Sequence, residues 1–382
     1  MQVAISSYNN QQFNDSQKND LVDSRKARLV LGFGDRVLLA EGNIYNLLKL
    51  RYPKADIVLC STAGEIFDYK VMEDSVSITA IEFEKTTIKT ASVNIDDFNN
   101  NSFDAGHSLV KQFELSPDLS YIMILSDGGK VNGSELVNGI NEYVQNKVPV
   151  TGGLAGDGTA FNTTLVGLNE DPCSGKIVAI AFYSRHLVIG HGSKGGWEMF
   201  GPERTVTASK ANQLFEINNE NALGVYKKYL GSYADELPGS ALLFPLSVKL
   251  SSAADPVVRT ILSINNESKS MVFAGDVPEG SQVRLMKANF DKLIQAASEA
   301  AYQTVFAKSV RAAKLAILIS CVGRRIILNS RIDEEVEAVQ EAFGDGTMVT
   351  GFYSYGEIAP TFIQTKCELH NQTMTITTFD EL

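Results

Sequence analysis

The feature that most constrains the fold of this chain is an internal repeat. Residues 27–83 run from an apolar strand through an amphipathic stretch to a second apolar strand, then Gly-Glu-Ile and an alternating strand, and residues 314–379 follow the same order. A third copy starts at Tyr121, and a fourth, weaker copy starts near Ser240. In all four copies a glycine followed by an acid stands 31 to 37 residues after the end of the first strand. Repetition at such similar intervals indicates duplication of one structural unit.

The hydrophobic pattern within the copies predicts their elements. Continuous apolar runs at 57–61 and 122–126 predict strands that are covered on both faces. The alternating segments 75–83 and 373–379 predict strands with one wetter face. Helical spacing of apolar residues, as around Val336, predicts helices beside the sheets. The sequence therefore predicts an α/β (α+β) fold of layered mixed β-sheets with flanking helices, built from repeated β-α-β-β units in two pseudo-related domains.

Chain length and turn content suggest where the domains begin and end. The 382 residues suit two domains of about 150–200 residues each. A glycine-rich, turn-rich stretch at 190–202 is followed by a strand and then by the polar residues 218–221, where we place the domain change. We predict one domain at 25–219 and a second at 220–382. The polar residues 1–24 are expected to form a solvated arm, or an edge strand with a tail.

Composition disfavours several classes of function. The formal charge is −11 and no segment concentrates Lys and Arg, so neither nucleic acid nor an anionic membrane surface is an expected partner. The four cysteines stand singly, which predicts neither a zinc cluster nor a redox pair, and Cys60 and Cys321 lie in apolar runs typical of buried thiols. No signal-peptide pattern and no apolar run near the ~18 residues of a membrane span occur. A cytoplasmic protein without a metal site is expected.

Several motifs together resemble one known family. These motifs are Ser-Thr-Ala-Gly-Glu-Ile at 61–66, Gly-Gly-Leu-Ala-Gly-Asp-Gly at 152–158, the junction at 204–209, the helix start at 221–231 and Gly-Phe-Tyr-Ser-Tyr-Gly-Glu-Ile-Ala-Pro at 351–360. In this order they resemble the N-terminal and C-terminal domains of the FIST (F-box and intracellular signal transduction) family. The last motif is the most specific of them, and the resemblance covers roughly residues 25–362.

The resemblance implies a sensory protein rather than an enzyme. FIST domains are thought to bind small ligands such as amino acids, and family members without further domains often work beside a histidine kinase or a cyclic-di-GMP enzyme. One branch is described as binding haem and responding to nitric oxide. Because no kinase, cyclase or F-box segment is recognisable in this chain, its signal is expected to pass through a separate partner.

Each glycine–acid pair is a candidate binding position, because α/β sheets place ligand sites where strands end. The acids of the four pairs are Glu65, Asp157, Asp276 and Glu357. Such a carboxylate can face a ligand amine, or it can hold a turn by accepting backbone N–H bonds. For most of these positions the turn-holding role is the commoner one. Glu357 is the strongest ligand-binding candidate, since tyrosine and serine side chains surround it.

We predict one pocket lined by the segment 353–357 of the second domain, with the loop 152–157 of the first domain opposite. Two tyrosines at alternate positions share one face of a regular strand and can form an aromatic wall. A carboxylate beside their hydroxyls suits an amine-bearing ligand, so Glu357→Gln is expected to weaken binding about tenfold or more. The candidate ligand-binding residues are Tyr353, Ser354, Tyr355, Glu357, Gly153, Asp157 and Glu65.

Two alternatives to the small-ligand sensor remain open from sequence. His191 adjoins a glycine turn and Trp197, where a flat ligand has room, so His191 is the candidate axial residue if the protein is a haem-based nitric-oxide sensor. The other alternative is a hydrolase that uses the repeated glycine–acid loops. No nucleophile-elbow, zinc-protease or phosphate-loop motif supports catalysis or nucleotide binding. An intracellular sensor of an amino acid or similar metabolite, without catalytic residues or a resident cofactor, is therefore the primary prediction.

Overall fold

Three copies of one strand–helix–strand unit form the body of the protein, and an antiparallel sheet is inserted before the third. The computed structural model describes residues 1–250, 256–305, 313–360 and 366–382. In each unit, two neighbouring parallel strands are joined by helices, and a last strand returns antiparallel to the first. The mixed α/β architecture with layered sheets and flanking helices is the predicted one.

Unit 1 contains the N-terminal residues as part of its sheet. Its elements are β1 (Gln2–Asn9), β2 (Gln12–Asp15), β3 (Leu29–Gly34), α1 (Arg36–Glu41), α2 (Ile44–Arg51), β4 (Asp56–Ser61), β5 (Glu65–Phe67), β6 (Lys70–Met72) and β7 (Val76–Glu82). β3 and β4 are parallel, and β7 lies antiparallel to β3. β1 pairs with β7, and β2 pairs with β1. Of the two possibilities for the N-terminal segment, the structure therefore has the edge strand, extended into a hairpin.

Unit 2 follows directly in the chain. Its elements are β8 (Thr87–Asn94), α3 (Ser102–Val110), β9 (Leu119–Ser126), α4 (Gly133–Val144), β10 (Val150–Leu154), β11 (Val166–Leu168) and β12 (Lys176–Tyr183), with a 3-10 turn at Ile95–Phe98. β9 and β10 are parallel and α4 joins them. Asn132 begins α4, because its side-chain oxygen accepts hydrogen bonds from the amides of Ser134 and Glu135.

An antiparallel sheet separates unit 2 from unit 3. After β13 (Leu187–Lys194) come β14 (Glu198–Lys210), β15 (Gln213–Ile217), β16 (Glu220–Asn221), α5 (Ala222–Leu230), β17 (Leu246–Lys249), β18 (Val257–Arg259), β19 (Ile261–Asn265), β20 (Ser270–Phe273) and β21 (Gln282–Lys287). Strands β14 to β21 pair only in antiparallel fashion among the described residues. Two 3-10 segments, Gly231–Glu236 and Gly239–Leu243, follow α5.

The predicted fourth copy of the repeat lies in this sheet and is wrong. The residues from Ser240 to Asp276 that the structure describes form a 3-10 turn and the strands β17 to β20, without an α-helix between them; residues 251–255 lie outside the described ranges. Parallel strands need a long crossover, usually helical, whereas antiparallel neighbours need only a short turn. The segment's short apolar runs lack an amphipathic stretch long enough for that crossover.

Unit 3 closes the chain. Its elements are α6 (Phe290–Val305), β22 (Leu315–Cys321), α7 (Val322–Leu328), α8 (Ile332–Phe343), β23 (Met348–Ser354), β24 (Gly356–Pro360), β25 (Cys367–His370) and β26 (Met374–Glu381), with a 3-10 turn at Asn329–Arg331. β22 and β23 are parallel, and β26 returns antiparallel to β22. β13, from before the inserted sheet, pairs with β26 at the edge.

Each unit pairs one of its strands with a strand of another unit, and we call these strands, β5, β11 and β24, the crossing strands. β6 and β25 extend the same two sheets beside β5 and β24. β5 of unit 1 pairs with β23 of unit 3, β24 of unit 3 pairs with β10 of unit 2, and β11 of unit 2 pairs with β4 of unit 1. The three exchanges close a ring of three six-stranded sheets. The ring brings the carboxyl ends of the parallel strands of all three units to one end of the body.

The hydrogen bonds of the Gly-Glu-Ile segments confirm that units 1 and 3 are copies. In both, the glutamate accepts one bond from a hydroxyl three residues earlier and one from the residue directly before the returning strand. The donors are Thr62 (2.6 Å) and Ser75 (2.8 Å) for Glu65, and Ser354 (2.8 Å) and Thr373 (2.9 Å) for Glu357. Gly64 and Gly356 therefore occupy equivalent positions, as the repeat predicts.

The sheets bury both of their faces. Their inner faces meet in one apolar core that contains Leu31 from unit 1, Leu125 from unit 2 and Ile319 from unit 3. Helices cover the outer faces: α1 and α2 pack on unit 1, α3 and α4 on unit 2, and α6 and α8 on unit 3. The prediction that 57–61 and 122–126 form strands covered on both faces is thus confirmed.

The returning strands differ from the expectation of one wetter face. β7 and β26 are buried almost throughout. Their polar side chains point toward the other sheets, where hydroxyl groups bond to one another: Ser77 to Thr350 at 3.0 Å, and Thr151 to Thr377 at 2.8 Å. In these two strands the alternation of apolar and polar residues therefore marks a buried polar face that packs against the polar face of another sheet. Buried hydroxyls are tolerated there because they are hydrogen-bonded.

Candidate functional site

The loops that follow the parallel strands meet at one end of the body. The amide of Ala63 in unit 1 donates to the carbonyl of Tyr353 in unit 3 at 2.8 Å, and the amide of Tyr355 in unit 3 donates to the carbonyl of Leu154 in unit 2 at 3.1 Å. A third bond, from Gly156 to unit 1, completes the circle. Ligand sites of α/β sheets lie at such strand ends, and two cavities are found here.

The first cavity, of about 460 Å³, lies between the strand ends and the inserted antiparallel sheet. Unit 2 lines it with the turn 128–133 after β9, and unit 3 lines it with Tyr355 and the start of α7. The antiparallel sheet supplies the opposite wall, including Thr260 and Phe273. Its volume falls within the range of about 300–1,000 Å³ that is usual for small-molecule sites. This is the candidate functional site.

An aromatic pair lies at the mouth of the first cavity. The ring of Phe161 stacks on the ring of Tyr355, with centroids 4.7 Å apart and an angle of 17° between the planes. Phe161 is 51% exposed and has a φ of +50°, a left-handed conformation that bulky residues rarely adopt. Strained backbone of this kind persists only where the surroundings hold it, and it concentrates at binding sites and clamps.

The hydroxyl of Tyr355 holds the loop that carries Phe161. It bonds to the carboxylate of Asp157 and accepts hydrogen bonds from the amides of Asp157 and Phe161, each at 3.2 Å. The other carboxylate oxygen of Asp157 accepts from the amides of Asn162 (2.9 Å) and Thr163 (2.8 Å). Burial raises the pKa of Tyr355, so the phenol remains a neutral donor. The structure thus brings together two predicted site residues, Tyr355 and Asp157, but Asp157 holds the loop and does not line the cavity.

In the part of the chain that the structure describes, the cavity wall contains one buried side-chain polar group without a protein partner. Thr260 is 5% exposed, and its hydroxyl oxygen is buried without a hydrogen bond. Nearby, Asn212 uses its amide nitrogen to donate to the carbonyl of Phe273 at 2.8 Å, and Thr164 accepts from the amide of Gly128 at 2.9 Å. An unsatisfied buried hydroxyl costs about 1–3 kcal/mol, which a bound ligand can recover by bonding to it.

A buried guanidinium stands directly behind the cavity wall. Arg259 is 2% exposed, and a side chain at Gly275 in the wall would lie only 2.9 Å from its Nε. Nε donates to the carbonyl of Asp276 at 3.0 Å, and Nη1 donates to the carbonyl of Leu369 on β25 at 2.8 Å. Burial lowers the pKa of Arg259 to about 10. Arg259 therefore fixes the antiparallel sheet to unit 3 beside the cavity.

The predicted pocket around Glu357 is corrected by the structure. Glu357 is fully buried and points into the closed turn that Ser354 and Thr373 form, and it lines neither cavity at the strand ends. Burial raises its pKa to about 8. Gly356 begins a strand that pairs with β10, so the chain turns into the sheet at this point and does not continue along a cavity wall.

Three further predicted site residues also lie away from the cavities. Tyr353 is fully buried beneath α8, and its hydroxyl has no hydrogen-bond partner. Ser354 is occupied by its bond to Glu357. Gly153 lies within β10, where a side chain would meet Ile319 at 2.7 Å, so this glycine permits close packing of two sheets. Tyr353 and Tyr355 do not form the predicted common wall, because β23 ends between them.

Glu65 lines the second cavity, of about 650 Å³, which lies between unit 1 and α7. Burial raises its pKa to about 7, against the lowering effect of the two hydroxyls that donate to it. Arg325 crosses the same cavity, where it bonds to the carbonyl of Ala63 and pairs with Glu73. Glu65 and Arg325 both have protein partners, so this cavity presents a weaker case for a ligand than the first.

His191 does not fit the role of haem ligand. It lies within β13, and its Nε2 is 3.2 Å from the carbonyl oxygen of Pro360. Burial lowers its pKa to about 4, and it lines none of the three cavities among the described residues. Trp197 lines the third of these cavities, near α6, separately from His191. None of these three cavities joins His191 to Trp197, and the strand extends through His191 up to Lys194.

The cysteines, the metal-binding side chains and the helices of the described residues can be compared with what catalysis, a metal site and a membrane span require. Cys321 lines the first cavity, but burial raises the pKa of its thiol, and no histidine is among the residues lining that cavity. Cys60 and Cys321 are buried free thiols, as predicted. Within the ranges that the structure describes, no three His, Cys, Asp or Glu side chains are placed to hold a metal ion. None of the helices in those ranges has the length and apolarity to span a bilayer.

Sequence reasoning missed most of the first cavity. The turn after β9, Gly-Gly-Lys at 128–130, was findable, because it follows a buried strand directly and such positions carry ligand sites. Phe161, Thr260 and Asn212 gave no comparable signal. They come from a loop and from the inserted sheet, and their spacing in sequence says nothing about their meeting.

Comparison with known families agrees with the motifs. The family model of the FIST N domain matches residues 28–220, and that of the FIST C domain matches residues 222–360. The chain belongs to the FIST family. FIST domains are sensory domains of signal transduction. In this FIST protein the N domain contains unit 1 from β3 onward, unit 2 and the strands β13 to β15. The C domain contains α5, the strands β17 to β21 and unit 3 as far as β24.

Two solved structures that are similar to this FIST protein share little sequence identity with it. A cyanuric acid hydrolase from A. caulinodans is 8% identical with a TM-score of 0.39, and the match covers 99% of each chain. PurLQS from Thermotoga maritima is 7% identical with a TM-score of 0.20, over 84% of this chain and 74% of that one. Both scores are too low to carry an argument about activity. No curated protein sequence matches the chain.

Proposed function

We propose that this FIST protein is a sensor whose small ligand occupies the first cavity and whose signal passes to a separate partner protein. The observation that carries the proposal is the cavity of about 460 Å³ between the strand ends and the inserted antiparallel sheet. Its walls come from three parts of the chain that are far apart in sequence. A ligand bound there contacts all three, and so changes how firmly the antiparallel sheet is held on the body.

The finer identity of ligand and partner remains part of this proposal. The family resemblance suggests an amino acid or a similar small metabolite as ligand, and a histidine kinase or a cyclic-di-GMP enzyme as partner. In support, the first cavity has the size of a metabolite site and an unpaired hydroxyl at Thr260. Sensing in the cytoplasm, rather than turnover of the bound compound, is the proposed activity.

A ligand screen tests the proposed site. Amino acids and other small metabolites are screened by thermal shift, and affinity is measured for each compound that stabilises the protein. A compound at 100 times its Kd should stabilise the fold by about 2.7 kcal/mol. Leu262→Trp places a large ring at a half-exposed position in the cavity wall and should weaken binding at least tenfold without lowering Tm.

The matched control is Leu50→Trp, since Leu50 is exposed on α2 of unit 1 and lines neither strand-end cavity. It should bind every ligand as the unmodified protein does. The proposal is rejected if no compound shifts Tm of protein shown to be ligand-free, or if Leu262→Trp leaves the affinity unchanged. Recovery of a chemically altered compound would instead support an enzyme.

A further inference from the structure

We infer that the first cavity selects an uncharged, planar ring compound that carries amide-type hydrogen-bond donors and acceptors. The inference rests on the proposed function and narrows its ligand: among the small metabolites proposed there, it selects uncharged rings over zwitterionic amino acids. It follows from the charge, the hydrogen-bonding groups and the shape of the lining.

The lining supplies no buried counter-charge for an ionic ligand. Among the residues that line the first cavity in the described ranges, the sole charged side chain is Lys130. Lys130 is at the rim, with 45% of its side chain exposed, and pairs with Asp96 at 3.2 Å. Moving a charge into a cavity without a partner is costly, because the lost hydration is not replaced. This penalty applies to a ligand ammonium and to a ligand carboxylate alike.

The acids behind the lining are already occupied. Asp127 accepts from the amides of Gly129 (2.8 Å) and Gly175 (2.9 Å), among other bonds, and Asp157 is used by its loop and by Tyr355. Asp276 accepts from the side-chain amide of Asn132 at 3.3 Å. The carboxylates of Asp127 and Asp157 hold backbone amides in place, so they cannot turn toward a ligand ammonium without breaking the turns that form the site.

The buried cation behind the wall is likewise occupied. Arg259 donates to the carbonyls of Leu369 and Asp276, which fix its guanidinium outside the cavity. Gly275 lies between the guanidinium and the cavity. A ligand carboxylate would be attracted by the charge of Arg259 without forming a hydrogen bond to it, and would be repelled by the neighbouring carboxylates. The surroundings therefore favour neither sign of ligand charge.

Neutral hydrogen-bonding groups are what the lining does offer. Among the described residues, the hydroxyl of Thr260 is buried without a partner. The side chains of Asn162 and Asn212 also line the cavity, and Asn212 offers its amide oxygen, since its amide nitrogen donates to the carbonyl of Phe273. A hydroxyl both donates and accepts, and amides carry a donor and an acceptor side by side. The complementary ligand is one whose edge alternates donors and acceptors, as cyclic amides and carboxamide-substituted rings do.

The aromatic groups set the shape of the ligand. Phe161 and Tyr355 stack at the mouth of the cavity and Phe273 lines its wall. Flat rings gain from stacking on such faces, by about 0.5–1.5 kcal/mol beyond the area they bury. The strained φ of Phe161 indicates that the loop holds this ring in place for a purpose beyond packing, since half of the ring faces solvent.

A series of pyridines that differ in charge tests the inference. Nicotinamide (neutral), nicotinate (anionic) and 3-(aminomethyl)pyridine (cationic) share one ring, and uracil is a second neutral ring. Binding to the full chain is measured by calorimetry at neutral pH. The neutral rings as a group should bind at least tenfold more tightly than either charged pyridine. Thr260→Val should weaken their binding about tenfold without lowering Tm, because the lost hydroxyl had no protein partner.

Thr159→Val is the matched control, because Thr159 lines the second cavity and not the first. It should leave the affinities unchanged. Tighter binding of nicotinate or of the amine overturns the inference and leaves the proposed sensing site standing. Equal binding to the Thr260→Val variant, or no binding of either neutral ring at millimolar concentration, also overturns it. The proposed function fails separately, if no compound in the broad metabolite screen shifts Tm or if Leu262→Trp leaves the affinity of a bound compound unchanged.

Discussion

At the scale of single residues, the acids of the Gly-Glu-Ile segments stabilise the fold. Glu65 and Glu357 are both buried, and each accepts hydrogen bonds from two hydroxyl side chains. Burial raises their pKa values, to about 7 and about 8 respectively. Hydroxyl donors favour the carboxylate, but desolvation outweighs them in both cases. These acids therefore take up protons as the protein folds.

The pH dependence of stability follows from these shifts. The pKa of Glu357 is about 8 in the folded protein against 4.5 for the free side chain, so between these values the folded state holds the extra proton. Its contribution is complete below about pH 4.5 and is lost as pH rises through 8. We expect Glu357→Gln to reduce the fall in unfolding free energy over this range by up to about 1.4 kcal/mol per pH unit. Urea unfolding at pH 5, 6, 7 and 8 measures it.

The same variant separates a structural from a ligand-binding role. Because Glu357 lines neither strand-end cavity, we expect Glu357→Gln to leave the Kd of any bound compound unchanged, where sequence reasoning expected at least a tenfold loss. Glu341→Gln, at an exposed position on α8, is the control and should not alter the pH profile. A weakened Kd together with an unaltered pH profile would restore Glu357 as a ligand-binding residue.

At the scale of elements, glycines decide how closely the parallel strands of a unit approach each other. Gly351 on β23 has a φ of +154°, and a side chain there would overlap the carbonyl oxygen of Leu318 on the neighbouring strand. Gly152 on β10 meets the carbonyl oxygen of Ile124 in the same way. Both glycines follow a threonine and both lie beside the first strand of their unit. The repeat thus includes a backbone contact that only glycine permits.

We expect Gly351→Ala to cost at least about 3 kcal/mol of unfolding free energy, because the added methyl group must displace backbone and the φ is unfavourable for alanine. Urea unfolding, or the yield of soluble protein if the loss is larger, measures the effect. Gly239→Ala is the matched control, since an added side chain there meets nothing within 4 Å and no positive φ is involved. A loss of less than 1 kcal/mol for Gly351→Ala would show that β22 and β23 can separate without penalty.

At the scale of the whole molecule, polar contacts in the described part of the chain join the inserted antiparallel sheet to the body. Arg259 on β18 donates to the carbonyl of Leu369 on β25, and Asp276 accepts from Asn132 at the start of α4. The sheet otherwise has its own apolar core around Leu214 and Phe273. A ligand in the first cavity lies at this junction. Its binding is therefore expected to alter the protection of the sheet's amides against exchange.

We expect Arg259→Met to loosen the sheet without unfolding the body. Each carbonyl that loses its donor costs about 1–3 kcal/mol. Amide hydrogen exchange should become faster in residues 198–287 and in β25, which carries the carbonyl of Leu369. It should stay the same in unit 1. Arg185→Met is the control, because Arg185 forms an exposed pair with Asp118 at 2.6 Å, and such pairs contribute about 0–1 kcal/mol. Uniformly faster exchange across the chain would show that Arg259 supports the whole fold and not the junction.

The sequence by itself determined the repeated unit, the mixed sheets and the family. Apolar runs, helical spacing and the recurring Gly-Glu-Ile are local patterns. They can be recognised from sequence because they depend on residues that are neighbours in the chain. Units 1 and 3 carry them fully, which is why the equivalence of Gly64 and Gly356 was predictable. Tyr355, which the motif also marked, lines the first cavity, because glycine and aromatic residues at a strand end mark a position next to open space. Its role in binding a ligand stays a prediction.

Only the tertiary structure decided which groups face the cavity and which are buried. Glu357 and Tyr355 are two residues apart and look equally suited to a pocket, but pairing of β24 with a strand of another unit turns Glu357 inward. Strand exchange between units is a long-range event that spacing does not encode. The same holds for Thr260, which meets Tyr355 across the first cavity because the inserted sheet folds back onto the body. Its proposed role depends on its hydroxyl having no hydrogen-bond partner among the described residues, and that is a property of the packed structure alone.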